Sequence, residues 1–239
     1  MRRLFQGFER GGLRYLLISG QASVLYGAAT FSEDIDIWIE PTAVNVRRLL
    51  TVLASLRASV YKLTPPLLRR YLLGGHGFHF VVPERPLPIY LDVLGKPPRV
   101  GRFSEGLRRA RAMNTGFGVV PVVSPVDLVK LKLTRRLSDY EVISNLVRLE
   151  IDRVALPGRR LGALRWAVRN TFNAEDRARW LAELGTRRSL ARCRRDIARE
   201  VTAYQARDTA YWRRRIAELR KLYRAGEIIP EGKPVADLL

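Results

Sequence analysis

Three aspartates in this sequence have a type and spacing that suit metal-dependent phosphoryl transfer. Asp34 and Asp36 lie two residues apart in the alternating segment DIDIWIE, so both carboxylates project to the same face of a strand. Asp92 lies in a second apolar segment, IYLDVL, where a carboxylate without a partner is costly to bury. Carboxylate oxygens are the ligands that Mg²⁺ prefers. If the two strands are neighbours, the three carboxylates converge on one or two magnesium ions, the arrangement used for in-line phosphoryl transfer.

The turn at Ser19, Gly20 and Gln21 could hold the phosphates of a nucleotide. It follows the apolar run RYLLI and precedes a segment with helical character. A helix N-terminus offers free backbone N–H groups and the positive end of the helix dipole. Glycine in such a turn lets a phosphate approach the backbone closely. We therefore predict that a triphosphate binds at this turn.

The elements that must position these residues follow from hydrophobic periodicity and turn residues. The helix over residues 21–26 is expected to end at Gly27, and Ser124 and Pro125 form a typical helix start. The predicted strands cover residues 14–19, 34–40, 78–82, 88–94 and 119–123. The other predicted helices cover residues 43–57, 67–72, 126–134 and 139–149. This order of elements predicts an α/β fold built on a mixed sheet.

The C-terminal part of the chain differs in pattern and charge. From about residue 150 the sequence favours helices until Gly226, and residues 151–239 contain 21 of the 43 Lys and Arg residues. A turn is predicted at Pro157 and Gly158. We predict a catalytic domain over residues 1–150 and a basic helical region, a C-terminal bundle, over residues 151–239.

The charge of the whole chain indicates anionic partners. Its formal net charge is +20 and its pI is about 11.1. Such a field attracts polyanions, and aromatic side chains among arginines can stack on bases. Two other interpretations stay open: the Arg-rich polar face of an ordinary amphipathic bundle, and a surface that receives an acidic partner. The C-terminal arginines are Arg187, Arg188, Arg192, Arg194, Arg195, Arg199 and Arg213–Arg215, with Trp180, Tyr204, Tyr211 and Trp212 among them.

Other classes of site and location are less consistent with the sequence. Cys193 is the only cysteine, so there is no internal disulfide, and without a nearby catalytic histidine we expect it to be inert. His76 and His79 have no third nitrogen or thiolate ligand, so packing or a polar contact near the cleft is expected in place of zinc binding. The N-terminal segment lacks the apolar core of a signal peptide, and no apolar run approaches the roughly 18 residues that span a bilayer. These features predict a cytoplasmic protein without a membrane partner.

Two stretches of the sequence resemble a known superfamily. YLLISGQASVLYGAATFSEDIDIWI is similar to the signature of the DNA polymerase β-type nucleotidyltransferases: a Gly-containing turn, a short helix and Asp-x-Asp on a strand. VVSPVDLVKLKLTRRLSDYEVISNL is similar to the Leu-rich, Lys-containing helix of the small prokaryotic members. Those members include the minimal nucleotidyltransferases and the AbiEii-type toxins of toxin–antitoxin pairs. The resemblance covers roughly residues 12–148.

The resemblance implies roles for individual residues. Asp34 and Asp36 would bind both metal ions, and Asp92 would be the third carboxylate, helping to deprotonate the acceptor hydroxyl. The turn at Ser19, Gly20 and Gln21 would bind phosphates, and Ser32 would touch a phosphate. Lys130 or Lys132 would reach a nucleotide phosphate; they point about 200° apart on a helix, and we favour Lys130. Asp139 would orient that region.

Two departures from the family pattern concern these assignments. The turn has one glycine where the family usually has Gly-Gly or Gly-Ser. The late motif reads Arg136–Leu137–Ser138–Asp139, where the family often has Arg-x-Lys-Asp.

The resemblance also implies an activity and partners. The expected reaction transfers a nucleoside monophosphate from an NTP to an acceptor hydroxyl with Mg²⁺ as cofactor, and it releases pyrophosphate. RNA, in particular a tRNA 3′ end, ranks first as acceptor, followed by a protein hydroxyl and by a small molecule such as an aminoglycoside. A toxin of this kind would have an antitoxin protein as partner. The rival interpretation is a non-catalytic module that binds nucleotide or RNA.

Overall fold

A computed structural model describes residues 1–154 and 157–239, and in those ranges the chain forms seven strands and ten α-helices. The strands are β1 (Tyr15–Ile18), β2 (Ile35–Ile39), β3 (Ser59–Val60), β4 (Gly77–Val82), β5 (Ile89–Leu94), β6 (Arg111–Thr115) and β7 (Gly118–Val122). The helices are α1 (Arg2–Arg10), α2 (Ser19–Tyr26), α3 (Ala43–Ser55), α4 (Arg69–Gly74), α5 (Phe103–Arg109), α6 (Pro125–Leu131), α7 (Leu137–Asp152), α8 (Pro157–Asn170), α9 (Ala174–Glu183) and α10 (Leu190–Arg224).

The strands form a single mixed sheet in the order β3-β4-β5-β2-β1-β7-β6. The central strand β2 pairs with β1 in antiparallel and with β5 in parallel orientation. β1 also pairs in parallel with β7. The strand pairs β3–β4, β4–β5 and β6–β7 are antiparallel. The predicted mixed-sheet α/β fold followed by C-terminal helices is therefore confirmed.

β2 lies at the centre of the hydrophobic core. Ile35, Ile37, Trp38 and Ile39 are all buried, as expected for a strand covered on both faces. The Trp38 indole N–H donates to the carbonyl oxygen of Gly95 at 3.1 Å, so its one polar atom is satisfied inside the core. Such packing holds β2 in place and positions Asp36, the acidic residue on it.

Several predicted boundaries are confirmed and others differ. Gly27 ends α2 with a φ of 81°, and the Ser124 side chain caps α6 by accepting from the Asp127 N–H. α6 ends at Leu131 and not at residue 134, and Lys132 is its C-cap. The elements β3, β6, α1 and α5 were not predicted. β6 could not be predicted because its sequence, RAMNT, lacks apolar alternation. It lies at the edge of the sheet.

The C-terminal helices share one core with the sheet. Leu164 on α8, Trp180 on α9 and Leu222 on α10 belong to the same hydrophobic cluster as the β-strands. The predicted boundary near residue 150 falls inside α7, and residues 155 and 156 of the predicted boundary region lie outside the described residues. The division into two domains stays a prediction. Across the described ranges, every helix is too short or too polar to cross a membrane.

Candidate active site

An acidic row, Asp36 and Asp92, lies on two neighbouring strands of the sheet, and His79 on a third strand continues it. Asp36 on β2 is the direct register partner of Asp92 on β5, and Asp92 is the partner of His79 on β4. Register partners lie on the same face of a sheet, on strands about 4.8 Å apart. Asp34 precedes Asp36 by two residues, and its side chain borders the same cavity. The two aspartate-bearing strands are neighbours, which is the condition under which the sequence predicts convergence of the carboxylates, while the roles of the carboxylates stay predictions.

The acidic row borders a cavity of about 460 Å³. The opening turn of α2 reaches it through Ser19, and α10 reaches it through Asp208 and Trp212. Basic side chains also line the cavity, so it combines carboxylates with groups that attract anions. The basic side chains that line it are Lys62, Arg99, Lys132, Arg135 and Arg136.

Asp92 is held by Tyr61, which the sequence did not reveal, and by His79, for which packing or a polar contact near the cleft was expected. Its Oδ1 accepts a hydrogen bond from the Tyr61 hydroxyl at 3.0 Å and lies 2.7 Å from the His79 Nδ1. The Lys62 ammonium donates to the Tyr61 hydroxyl at 2.7 Å. Burial alone would raise the pKa of Asp92, but His79, Tyr61 and Lys62 together lower the pKa below its usual value. Asp92 is therefore a fixed and ionised carboxylate.

The pKa values of the other two carboxylates, Asp34 and Asp36, are raised. Burial, followed by the negative charge of Asp92, raises the pKa of Asp36 to about 7, although a hydrogen bond from Ser19 acts against this rise. Burial and the charge of Asp92 also raise the pKa of Asp34. Negative charge is therefore crowded at this point, and a cation would relieve the repulsion.

The carboxylates fit a magnesium site that is completed by substrate. Within residues 1–154 and 157–239, no three His, Cys, Asp or Glu side chains converge closely enough to enclose a metal ion. Magnesium is usually bound through one or two carboxylates together with substrate phosphates and water, so a closed cage of protein ligands is not required. The hard oxygen donors of Asp34, Asp36 and Asp92 match that kind of site.

The turn before α2 is built differently from the prediction. Ser19 has a φ of 58°, which is uncommon for a residue other than glycine, and it borders the cavity. Gly20 has no room for a side chain, because a Cβ there would lie 2.1 Å from the Ser32 Oγ. The Gln21 side chain donates to the Ser32 carbonyl oxygen at 2.9 Å, and the Ser32 hydroxyl donates to the Asp34 carbonyl oxygen at 3.2 Å.

These contacts change the interpretation of three predicted phosphate contacts. Gly20, Gln21 and Ser32 pack against one another and do not border the cavity. Their geometry fixes the loop that leads into β2 and so positions Asp34. Of the predicted turn residues, Ser19 is the one that the structure brings beside the carboxylates.

The structure brings Lys132, and not Lys130, to the cavity. The Lys130 ammonium lies 3.4 Å from Asp127, and its side chain is about half exposed outside the cavity. Lys132 is buried, borders the cavity and donates to Asp139 Oδ1 at 2.8 Å. The prediction placed both lysines on one helix over residues 126–134, whereas α6 ends at Leu131 and the chain turns at Lys132. The geometry therefore favours Lys132.

Asp139 organises the loop that carries Lys132. It accepts hydrogen bonds from Lys132, from the Thr134 hydroxyl and, at 3.0 Å, from the Arg136 guanidinium. Burial would raise the pKa of Asp139, but these partners lower it. The role of Asp139 in orienting this region is compatible with these contacts and stays a prediction.

α10 is tied to the cavity wall by one buried carboxylate. Asp208 is 1% exposed and accepts hydrogen bonds from the Arg99 guanidinium at 2.8 Å and from the Arg135 backbone N–H at 3.1 Å. Arg99 also donates to the carbonyl oxygens of Lys130 and Leu131. Asp208 was not predicted from the sequence. The one feature that could have pointed to it is that it is an acidic residue in a strongly basic helix.

His76 and Cys193 lie apart from the cavity lining. His76 is buried, and its Nε2 lies 2.8 Å from Glu218 on α10, so it and His79 have different partners. Cys193 is buried in a small cluster with Ala174 and Ile197. Both arrangements are those of packing residues.

Comparisons with known proteins leave the family open. No protein-family profile matches the sequence, and no curated protein matches it. One similar solved structure is a candidate nucleotidyltransferase from H. pylori, with 10% identity, a TM-score of 0.40 and coverage of 88% of this chain and 93% of that one. Another is an antigenic nucleotidyltransferase-like protein from Paracoccidioides brasiliensis, with 14% identity, a TM-score of 0.37 and coverage of 84% and 90%. At these TM-scores, neither likeness establishes a shared fold or function.

Proposed function

We propose that this chain is a Mg²⁺-dependent nucleotidyltransferase that moves a nucleoside monophosphate from an NTP to an acceptor hydroxyl. The observation that carries the proposal is the direct register of Asp36 with Asp92 beside a cavity lined with basic side chains. Paired carboxylates suit divalent ions, and the basic lining suits a triphosphate. The same residues give no support to a hydrolase of neutral substrates.

The residues around the cavity divide the tasks of this reaction. Asp34, Asp36 and Asp92 would hold the magnesium ions, which neutralise the triphosphate and lower the pKa of the attacking hydroxyl. Lys132 and Arg136 both pair with the carboxylate of Asp139 and border the cavity, and they would face the phosphates. The acceptor oxygen attacks the α-phosphorus, its proton passes to a carboxylate, and the bond to the bridging oxygen breaks as pyrophosphate leaves.

RNA is the acceptor that the charge of the chain favours, with a tRNA 3′ end ranked first. A net charge of +20 raises the affinity for a polyanion far more than for a neutral protein surface or a small cationic drug. A protein hydroxyl and an aminoglycoside are the second and third acceptor classes.

The proposal is tested by following label from NTP to acceptor. The protein is incubated with each of four α-labelled NTPs, Mg²⁺ and total RNA, protein extract or aminoglycoside in turn. We expect label on RNA, with a loss of about 100- to 1000-fold in Asp36→Asn because a charge that acts on the transferred group is removed. Asp196→Asn, a partly exposed position on α10, is the matched control and should retain activity.

A binding module without catalysis is the second candidate, and two observations favour it. Asp92 Oδ1 is already engaged by Tyr61 and His79, and three carboxylates are not gathered in advance among the described residues. Tight binding of NTP or RNA without labelled product, in every combination of substrates and metals, would establish this alternative. Product formation that Asp36→Asn abolishes would exclude it.

A toxin role with an antitoxin partner is a separate proposal that rests on the family resemblance alone. Expression in a bacterial host should then arrest growth, and the Asp36→Asn variant should not. Co-expression of a neighbouring gene should relieve the arrest. Normal growth with active, soluble protein would contradict the toxin role without affecting the proposed reaction.

A further inference from the structure

A groove on one face of α10 adjoins the cavity that Asp34, Asp36 and Asp92 border (the acidic cavity). Its volume is about 350 Å³. It shares Arg135 and Trp212 with the acidic cavity, so a ligand can occupy both without leaving the surface. The spacing of the α10 residues is that of a single helix face. The groove is lined by Arg135, Thr209, Trp212, Arg213, Ile216, Ala217 and Arg220.

The groove combines an exposed apolar strip with guanidinium groups. Ile216 is 46% exposed, and Trp212 is partly exposed beside it. Within the described residues, Arg213 and Arg220 form no ion pair, although most buried acids of the protein are paired with arginines. α10 carries eleven Lys and Arg against four Asp and Glu, so the face is strongly cationic. An apolar and aromatic surface beside free cations suits a ligand with flat rings and repeated negative charges.

Neighbouring arginines on α10 have a different environment. Arg215 packs over the Tyr211 ring at 3.6 Å and donates to the Gly74 carbonyl oxygen at 3.1 Å, so it fastens α10 to the C-terminal end of α4. Arg214 does not border the groove. The run Arg213–Arg215 therefore divides into one groove residue, one solvated residue and one structural residue.

We infer that this groove binds the single-stranded end of a nucleic-acid acceptor and directs its terminal hydroxyl to the acidic cavity. Trp212 would stack on a base, and Arg213 and Arg220, about 10 Å apart along the helix, would contact phosphates. A single strand fits because its base faces are free for stacking, whereas those of a duplex are covered. This inference rests on the proposed function for the meaning of the acidic cavity.

The groove is tested by binding of a fluorescein-labelled, mixed-sequence RNA of about 12 nucleotides to the full chain. We expect Arg213→Gln/Arg220→Gln to weaken binding at least tenfold and to reduce the slope of log K against log salt by about 1.4, the value for two single-strand phosphate contacts. The matched control is Arg214→Gln/Arg224→Gln, which removes the same charge from α10 outside the groove and should weaken binding less than about threefold.

The results of this experiment test the groove and the proposed reaction independently. Equal weakening of RNA binding in the two double variants would overturn the inference, because the net positive charge of α10, and not the groove, would then account for binding. Equal affinity for the corresponding duplex would also overturn it, as would label transfer to a protein acceptor and not to RNA. RNA binding that depends on the groove, without any NMP transfer by the wild type, would support the groove and refute the proposed reaction. Transfer to RNA that is unchanged in both double variants would support the proposed reaction and refute the groove.

Discussion

His79 and Asp92 face each other across β4 and β5, and the imidazole Nδ1 lies 2.7 Å from the Asp92 Oδ1. The Tyr61 hydroxyl donates to the same oxygen, and its ring packs edge-on against the imidazole. Two groups from different parts of the chain thus fix the rotamer of one carboxylate and favour its ionised form. Asp36, directly beside it, has no comparable set of donors and its pKa is raised. The proposed site therefore joins one fixed carboxylate with one whose charge is poorly compensated.

Removing the Tyr61 hydroxyl should impair Asp92 without unfolding the protein. In Tyr61→Phe the pKa of Asp92 should rise, because a donor that stabilises the ionised form is lost. We expect kcat/KM to fall about tenfold and its acidic limb to move to higher pH, as measured by NMP transfer between about pH 5 and 9. Tyr90→Phe removes the same atom from a ring 4.9 Å away and should leave the profile unchanged. Identical profiles for the two variants would argue against the role of Tyr61.

Stability without metal should fall as pH rises through the titration of Asp36. The pKa of this carboxyl is about 7 in the folded state, against an ordinary value of 3.8, so the folded state binds the extra proton between these values. The free energy of unfolding therefore decreases across this window. Asp36→Asn stays neutral and should be more stable than the wild type at about pH 8, by no more than about 4 kcal/mol at the usual 1.4 kcal/mol per pKa unit.

Urea unfolding in EDTA at about pH 4 and about pH 8 measures this difference. The advantage of Asp36→Asn should nearly vanish at the lower pH, where the wild-type carboxyl is protonated. Magnesium with nucleotide should restore the stability of the wild type at the higher pH and leave the variant unchanged. A variant that is less stable than the wild type at the higher pH would contradict the raised pKa.

The close contact of Gly20 with Ser32 predicts a rescue. Gly20→Ala places a Cβ 2.1 Å from the Ser32 Oγ and should cost about 1–3 kcal/mol through overpacking. Gly20→Ala/Ser32→Gly removes both atoms of the clash and should recover most of the loss in thermal unfolding and activity. If Gly20 were needed for a phosphate contact, stability would recover in the double variant but NTP affinity would not.

Lys132 and Lys130 should differ in their effect on nucleotide binding. Lys132→Gln removes a cation that borders the cavity, and we expect the Kd for a fluorescent ATP analogue to rise about tenfold. Lys130→Gln is the matched control on α6 and should change Kd less than about twofold, because its ammonium lies beside Asp127. Unfolding curves should accompany both titrations, since Lys132 is also the buried partner of Asp139. A larger effect of Lys130→Gln would return the phosphate contact to Lys130.

Asp208 should contribute more to stability than Asp196 on the same helix. Asp208→Ala removes, at a buried position, the acceptor of the Arg99 Nη1 and of the Arg135 backbone N–H, and the expected cost is about 3 kcal/mol. Asp196→Ala breaks an exposed pair with Arg188 and should cost less than about 1 kcal/mol. Similar costs for the two variants in urea unfolding would show that α10 is not anchored through Asp208.

The local structure around the candidate site follows from short stretches of sequence. The alternation in DIDIWIE and IYLDVL predicts strands whose carboxylates face a defined side, because side chains alternate along a strand. Gly27 and the Ser124–Pro125 pair predict where helices end and begin, because capping depends on neighbouring residues. Asp34, Asp36 and Asp92 could therefore be selected from residue type and spacing.

Which groups meet at the site depends on the folded chain as a whole. The register of β2 with β5 depends on the packing of the whole sheet, and so do the partners of Asp92 on β4 and in the loop after β3. Lys132 reaches the cavity because α6 ends one residue before it, a boundary that periodicity could not fix. Asp208 lies 73 residues from Arg135, and no local pattern records such a pair. Local propensity acts over a few residues, whereas a site of this kind is assembled from contacts between distant parts of the chain.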